Sequence, residues 1–249
     1  MRENQIKKDV RTLSQLLGKW GKNVPKANIL NTNFSCSSKD SIITYSLNKS
    51  SPLIFKNIDL DRHSIPSGIE NLPIDKKEFE VHLNIVLAEH SLDDDYAVDP
   101  LTRLGVTIKV NGLYEKGEED SKYVVCSWHL DRDAPEDSTY CHPLYHLNFG
   151  GDSMTSHALE EPNFFGNLLL MPNPRIIHPP MDLILACDFI IRNFYKKTTH
   201  QSITNLPAYK DIFNRAANRY WASYAFAFAS KWNDTLSVSN LSHNKVIGL

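Results

Sequence analysis

Apolar residues fall into two periods along this chain. Ile6, Val10, Leu13 and Leu17 recur at intervals of three and four, which predicts an amphipathic opening helix that ends near Gly18. From 22 to 77 the chain is rich in Asn, Ser and Pro, so it reads as mostly irregular, broken by one strand-like run, SIITYSL at 41–47. The clearest turn there is SIPSGIE at 64–70.

Period two then takes over. In FEVHLNIVLAE, Phe79, Val81, Leu83, Ile85 and Leu87 alternate with Glu80, His82 and Asn84, the pattern of a half-buried strand. After an acidic loop at 93–95 come LGVTIKVNG at 104–112, ending on the turn signal Asn111-Gly112, then KYVVCSWHLD at 122–131 and CHPLYHLNFGG at 141–151. Short connections between consecutive strands predict an antiparallel meander.

The last third is helical. Pro179-Pro180 and Asp182 open LILACDFIIRNFY, which is apolar nearly all round and must be buried. Asp188 and Arg192, four apart, read as an ion pair on it. A second long helix is expected over 207–232, and 233–249 reads as a tail. The fold class is therefore α+β: an antiparallel meander of four to five strands, an N-terminal helix, and two long C-terminal helices on one sheet face, with 1–249 as a single domain.

Composition narrows the function classes. With Lys plus Arg at 27 and Asp plus Glu at 29, the net charge of −2 gives no general attraction to nucleic acid or an anionic membrane. No window reaches the roughly 18 apolar residues of a membrane span. Cys36, Cys126, Cys141 and Cys187 form no CxxC pair, and the N-terminus lacks the apolar core of a signal peptide, so reduced thiols in a cytoplasmic protein are expected.

Candidate chemistry gathers in the last two strands. Pairing them with Asp131 opposite His142, Trp128 opposite Tyr145 and Cys126 opposite Leu147 turns the apolar side chains to one side. It also collects Ser127, His129, Asp131, His142, His146 and Asn148 on the other. Imidazoles with a carboxylate suit a divalent transition metal, so His129, Asp131, His142 and His146 are the candidate ligands. The same four serve as candidate catalytic acid–base groups, a histidine being held by Asp131 or Asp133 while Arg132 or Arg175 holds an anion. Polar residues on a solvated strand explain the set equally well. Near the buried helix, Arg175, His178 and Asp182 lie where an anion docks, although a rigid Pro-Pro linker opening a helix accounts for them too.

Familiar signatures are missing. HPLYH lacks the glutamate of HExxH, Gly150-Gly151 opens no GxxxxGK[ST] or GxGxxG, and there is no GxSxG. Cys141 and His142 are neighbours on a strand and point to opposite faces, which argues against a dyad. A helix, a meander and a His-Pro pair are similar in outline to ubiquitin-conjugating domains, but the nucleophilic cysteine is missing at the matching place.

At WHLDRD, HPLYHLNFGG and PRIIHPPMDLILACDFI the chain resembles a family of uncharacterised bacterial proteins carrying WHLDR, HPLYH-FGG and PRI-HPPMD segments. The resemblance spans roughly the last half of the chain and implies only that His129, Asp131, His142, His146, Gly150, Gly151, Arg175, His178 and Asp182 lie in matching segments. It brings no activity with it.

Two functions follow as expectations. The first is a non-catalytic accessory or binding protein that acts through a protein partner, with no cofactor, no membrane and no nucleic acid; Asn148, Arg175, His178 and Asp182 are its candidate binding residues. The alternative is a hydrolase acting on phosphodiesters, metal-dependent or using His/Asp acid–base groups.

Overall fold

A computed structural model describes residues 2–47, 50–58, 79–91, 96–115, 121–133, 141–150 and 175–248. The expected turn at 64–70, the acidic loop at 93–95 and Gly151 lie outside them. The opening stripe forms helix α1 (Arg2–Lys19), with Ile6, Val10, Leu13 and Leu17 buried. After a short helix α2 (Ile29–Thr32) come strands β1 (Phe34–Lys39), β2 (Ile42–Leu47), β3 (Leu53–Phe55), β4 (Phe79–His90), β5 (Leu101–Glu115), β6 (Ser121–Arg132), β7 (Tyr145–Phe149) and β8 (Ile176–Ile177). Helices α3 (Leu183–Phe194), α4 (Lys197–Thr204), α5 (Pro207–Ala229) and α6 (His243–Ile247) close the chain.

The strands form one antiparallel sheet of eight, in the order β1-β2-β4-β5-β6-β7-β8 with β3 also on β4. The meander β4 to β7 matches the expectation, but four to five strands is an undercount. Within the described part of 22–77 the expected strand at 41–47 is β2, and β1, β3 and α2 are formed beside it. β2 and β3 sit end to end along β4, on Ile85–His90 and Val81–Leu83 respectively, so its length recruits two short partners whose own alternation is brief.

Asn111-Gly112 does not turn the chain; β5 runs through it to Glu115. Gly112 serves another purpose, because a Cβ there would collide with the ring of Phe79 on the paired strand. Nor are the described residues 233–248 a loose tail. Val238, Leu241 and Val246 are buried, Asn240 exchanges hydrogen bonds with the backbone of Asp99, and Lys245 accepts from the Leu144 amide.

The core lies between the sheet and the described helices. Tyr45, Leu47, Val81, Leu83, Ile85, Leu87, Leu104, Val106, Ile108 and Leu130 turn to this side and are buried. α3 is buried along nearly its whole length, as its all-round apolar sequence requires, and Arg192 pairs with Asp188 at 2.8 Å. Two of the acids buried in the core are met by arginines. Asp9 on α1, fully buried, accepts from Arg215 on α5 at 2.8 Å and lies 3.6 Å from Arg219. Glu89, equally buried, accepts from Arg2.

No described helix is long and apolar enough to cross a membrane. The Asp9 cluster ties the first and last long helices together, and removing the acid takes from Arg215 the carboxylate it donates to. Asp9→Ala should therefore cost about 3 kcal/mol in urea unfolding, the scale for a broken buried ion pair; a change within experimental error would show that the cluster contributes nothing.

Candidate functional site

The sheet face away from the core takes the other half of each alternating strand. Asn84, Thr107, His129 and Asn148 pair in register across β4, β5, β6 and β7 and make one continuous polar row. The next row is Val86, Gly105, Asp131 and His146. Cross-strand neighbours at such positions sit about 5 Å apart at Cβ, so these rows are adjacent on one face.

The register between β6 and β7 differs from the expected one. Asp131 opposes His146 and Trp128 opposes Phe149, a shift of four residues. The cause is local. Pro143 has no amide to give, and the Leu144 amide donates to Lys245 in α6, so the strand begins only at Tyr145. Because the shift is an even number, each side chain keeps its expected face. Gly150 then leaves the strand with φ at +87°, the turn a glycine permits.

His129 is held at both nitrogens. Its Nε2 lies 2.7 Å from Oδ2 of Asp131, two residues along the same strand, and its Nδ1 lies 3.0 Å from Oγ1 of Thr107 on β5. His129, Asp131 and Thr107 line a groove of about 710 Å³, whose opposite side is formed by Asn33, Ser35 and Ser46 and whose floor includes Asn84, Arg103 and Gly105.

His142 and His146 form a separate pair beside this groove and do not line it. Their rings meet edge to face at 4.6 Å, and His146 Nδ1 is 2.9 Å from the Pro143 carbonyl oxygen. Burial lowers the pKa of both, with Arg175 adding to the effect and Asp131 and Asp133 working against it. Among the described residues no group of three His, Cys, Asp or Glu side chains is close enough to hold a metal ion. The four candidate ligands thus share a face but divide into His129 with Asp131 and His142 with His146.

Of the other candidates, Asn148 completes the polar row beside His129. His178 turns its Nδ1 to the Pro179 carbonyl oxygen at 2.6 Å and packs against Phe189, and burial lowers its pKa. Arg132 goes to the core side, where it donates to the hydroxyl of Tyr145 and lies 3.5 Å from Asp99. Asp182 caps α3, accepting from the Leu185 amide at 2.9 Å, and is only 3 % exposed. The helix N-terminus is occupied by its own carboxylate.

Thr107, Asn84, Gly105 and Arg103 complete the groove without having been singled out in the sequence. The alternation of LGVTIKVNG put Gly105 and Thr107 on one face. What it lacked was the pairing that sets Thr107 against His129. Comparison with protein-family models, with curated proteins and with solved structures finds no match for this chain.

The cap makes a pH prediction. Burial raises the Asp182 carboxyl to about 6 despite the nearby Arg219 and the Leu185 amide. In the unfolded chain it ionises near its ordinary value of about 4. Between these values the folded state holds the proton and the unfolded state does not, so this group's contribution to stability falls as pH rises, by up to about 3 kcal/mol. Asp182→Asn keeps a capping oxygen and removes the titration. Relative to the parent, the variant should gain stability between pH 4 and pH 7 in urea unfolding; an equal difference at both pH values would refute the assignment.

Proposed function

We propose that the protein is a binding protein that holds a protein partner against the open polar face of its sheet. One observation carries this reading: a sheet covered by helices on one side presents on the other a groove lined by Ser35, Ser46, Asn84, Arg103, Thr107, His129 and Asp131. The groove crosses strands β1, β2, β4, β5 and β6 and mixes polar groups with Leu47, Val86 and Leu104, a breadth suited to a segment of polypeptide rather than to a small enclosed ligand. Carboxamide, hydroxyl and imidazole groups along it supply both donors and acceptors to a backbone.

A second reading of the same groove is acid–base chemistry by His129, and a specific observation favours it. An imidazole braced by a carboxylate at one nitrogen and engaged with a hydroxyl at the other has the arrangement of a proton shuttle. No metal is needed for that arrangement.

Partner binding is tested by placing a photo-crosslinking residue at Thr44, exposed on the open face, or at Lys210, exposed on α5. Crosslinking in cells should give a discrete protein adduct from Thr44 and none from Lys210. Gly105→Leu, which fills the groove floor, should abolish the Thr44 adduct while circular dichroism stays unchanged. Equal adducts from both positions, or an adduct indifferent to Gly105→Leu in a folded chain, would contradict partner binding in the groove.

A further inference from the structure

The hydroxyl that meets His129 belongs to an ordered set of groups. Asp131 Oδ2 takes the proton side of His129 Nε2 at 2.7 Å, which in the neutral ring leaves Nδ1 as a bare acceptor. Thr107 Oγ1, 3.0 Å away, is then the donor into that lone pair. Hydroxyl, imidazole and carboxylate in this order are what raise the nucleophilicity of a hydroxyl. Asn84 stands directly opposite Thr107 on its other side, at the cross-strand distance of about 5 Å, where a carboxamide N–H serves a developing oxyanion.

The groove also has a place for the rest of a substrate. Gly105, next to Thr107 on the same face, leaves the floor open; a Cβ there would lie 3.2 Å from Val86 Cγ1 and 3.7 Å from Asp131 Oδ1. Beyond it Arg103 is exposed, lines the groove and has no carboxylate partner among the described residues. Four residues of strand, roughly 13 Å of backbone, separate Arg103 from Thr107. The long guanidinium side chain bridges part of that span toward an anion on the substrate.

We propose that Thr107, His129 and Asp131 form a nucleophilic relay that hydrolyses carboxylic esters bearing a distal anionic group, with Asn84 at the oxyanion and Arg103 on the anion. This rests on the acid–base reading of His129 and names its nucleophile and substrate class. Thr107 Oγ1 attacks the acyl carbon as its proton passes to His129 Nδ1. The ester C–O bond breaks, and the leaving alkoxide takes that proton from His129. Water then attacks the acyl-threonine with His129 as base. The carboxylic acid leaves and the Thr107 hydroxyl is restored.

The test uses the full chain, 4-nitrophenyl acetate, the 4-nitrophenyl monoester of adipic acid, and a fluorophosphonate followed by intact mass and peptide mapping. The anionic ester should be preferred about tenfold in kcat/KM, a scale set by one charged contact. Thr107→Ala and His129→Ala should each lose about 100-fold or more, Thr107→Ser should restore turnover, and Arg103→Ala should narrow the preference between the esters. The fluorophosphonate should label Thr107 in the parent and not in His129→Ala. Turnover kept in Thr107→Ala but lost in His129→Ala, with no adduct, would overturn the nucleophile and leave His129 acting on water. No turnover and no adduct in a folded parent chain would overturn the relay and the acid–base reading together.

Discussion

The long antiparallel register of β4, β5 and β6 is the constraint on which this structure depends. Each of these strands is twelve or more residues long, and side chains alternate with period two, so a slip of one residue would send every core residue to solvent and every polar one inward. Burial of Val81, Leu83, Ile85, Leu87, Val106, Ile108 and Leu130 under the helices therefore fixes more than stability. By holding the register, the core places Thr107 opposite His129, and Gly105 opposite Asp131, on the far side of the same backbone.

The flanking parts extend and pin that arrangement. β7 is anchored from the core side, where the Tyr145 hydroxyl donates to Asp99 at 2.8 Å and accepts from Arg132, while Asn240 grips the Asp99 backbone. The C-terminal segment also takes up the Leu144 amide and so sets where β7 starts. That start decides that Asp131 stands opposite His146 rather than His142 in the register. A contact made by the last dozen residues thus settles which imidazole stands opposite the carboxylate.

Much of this was legible in the sequence, for physical reasons that differ by element. The strong period of 79–89 and 104–112 revealed β4 and β5, and Pro179-Pro180 with Asp182 marked the start of α3. The faces of His129, Asp131, His146 and Asn148 followed from alternation alone, which survives any even shift in register. β1, β3 and β8 are short strands whose existence depends on a neighbour: β3 offers only Leu53–Phe55, and it is the length of β4 that makes it a strand. The separation of the four candidate ligands into two pairs was not legible either, because it depends on a proline without an amide and on a helix more than ninety residues away. Thr107 was hidden for a similar reason. A threonine in a β-branched strand is ordinary until its cross-strand neighbour is known.

The His129 ring, held by Asp131 and Thr107, is common to the polar row, the groove and the proposed chemistry. Long-range ¹H–¹⁵N correlation of the imidazoles, assigned with His129→Gln, reads its protonation directly. A ring protonated at Nε2 with an accepting Nδ1, losing that single tautomer in Asp131→Asn, is the result the geometry requires. An Nδ1-protonated ring, or a tautomer mixture untouched by Asp131→Asn, would contradict it.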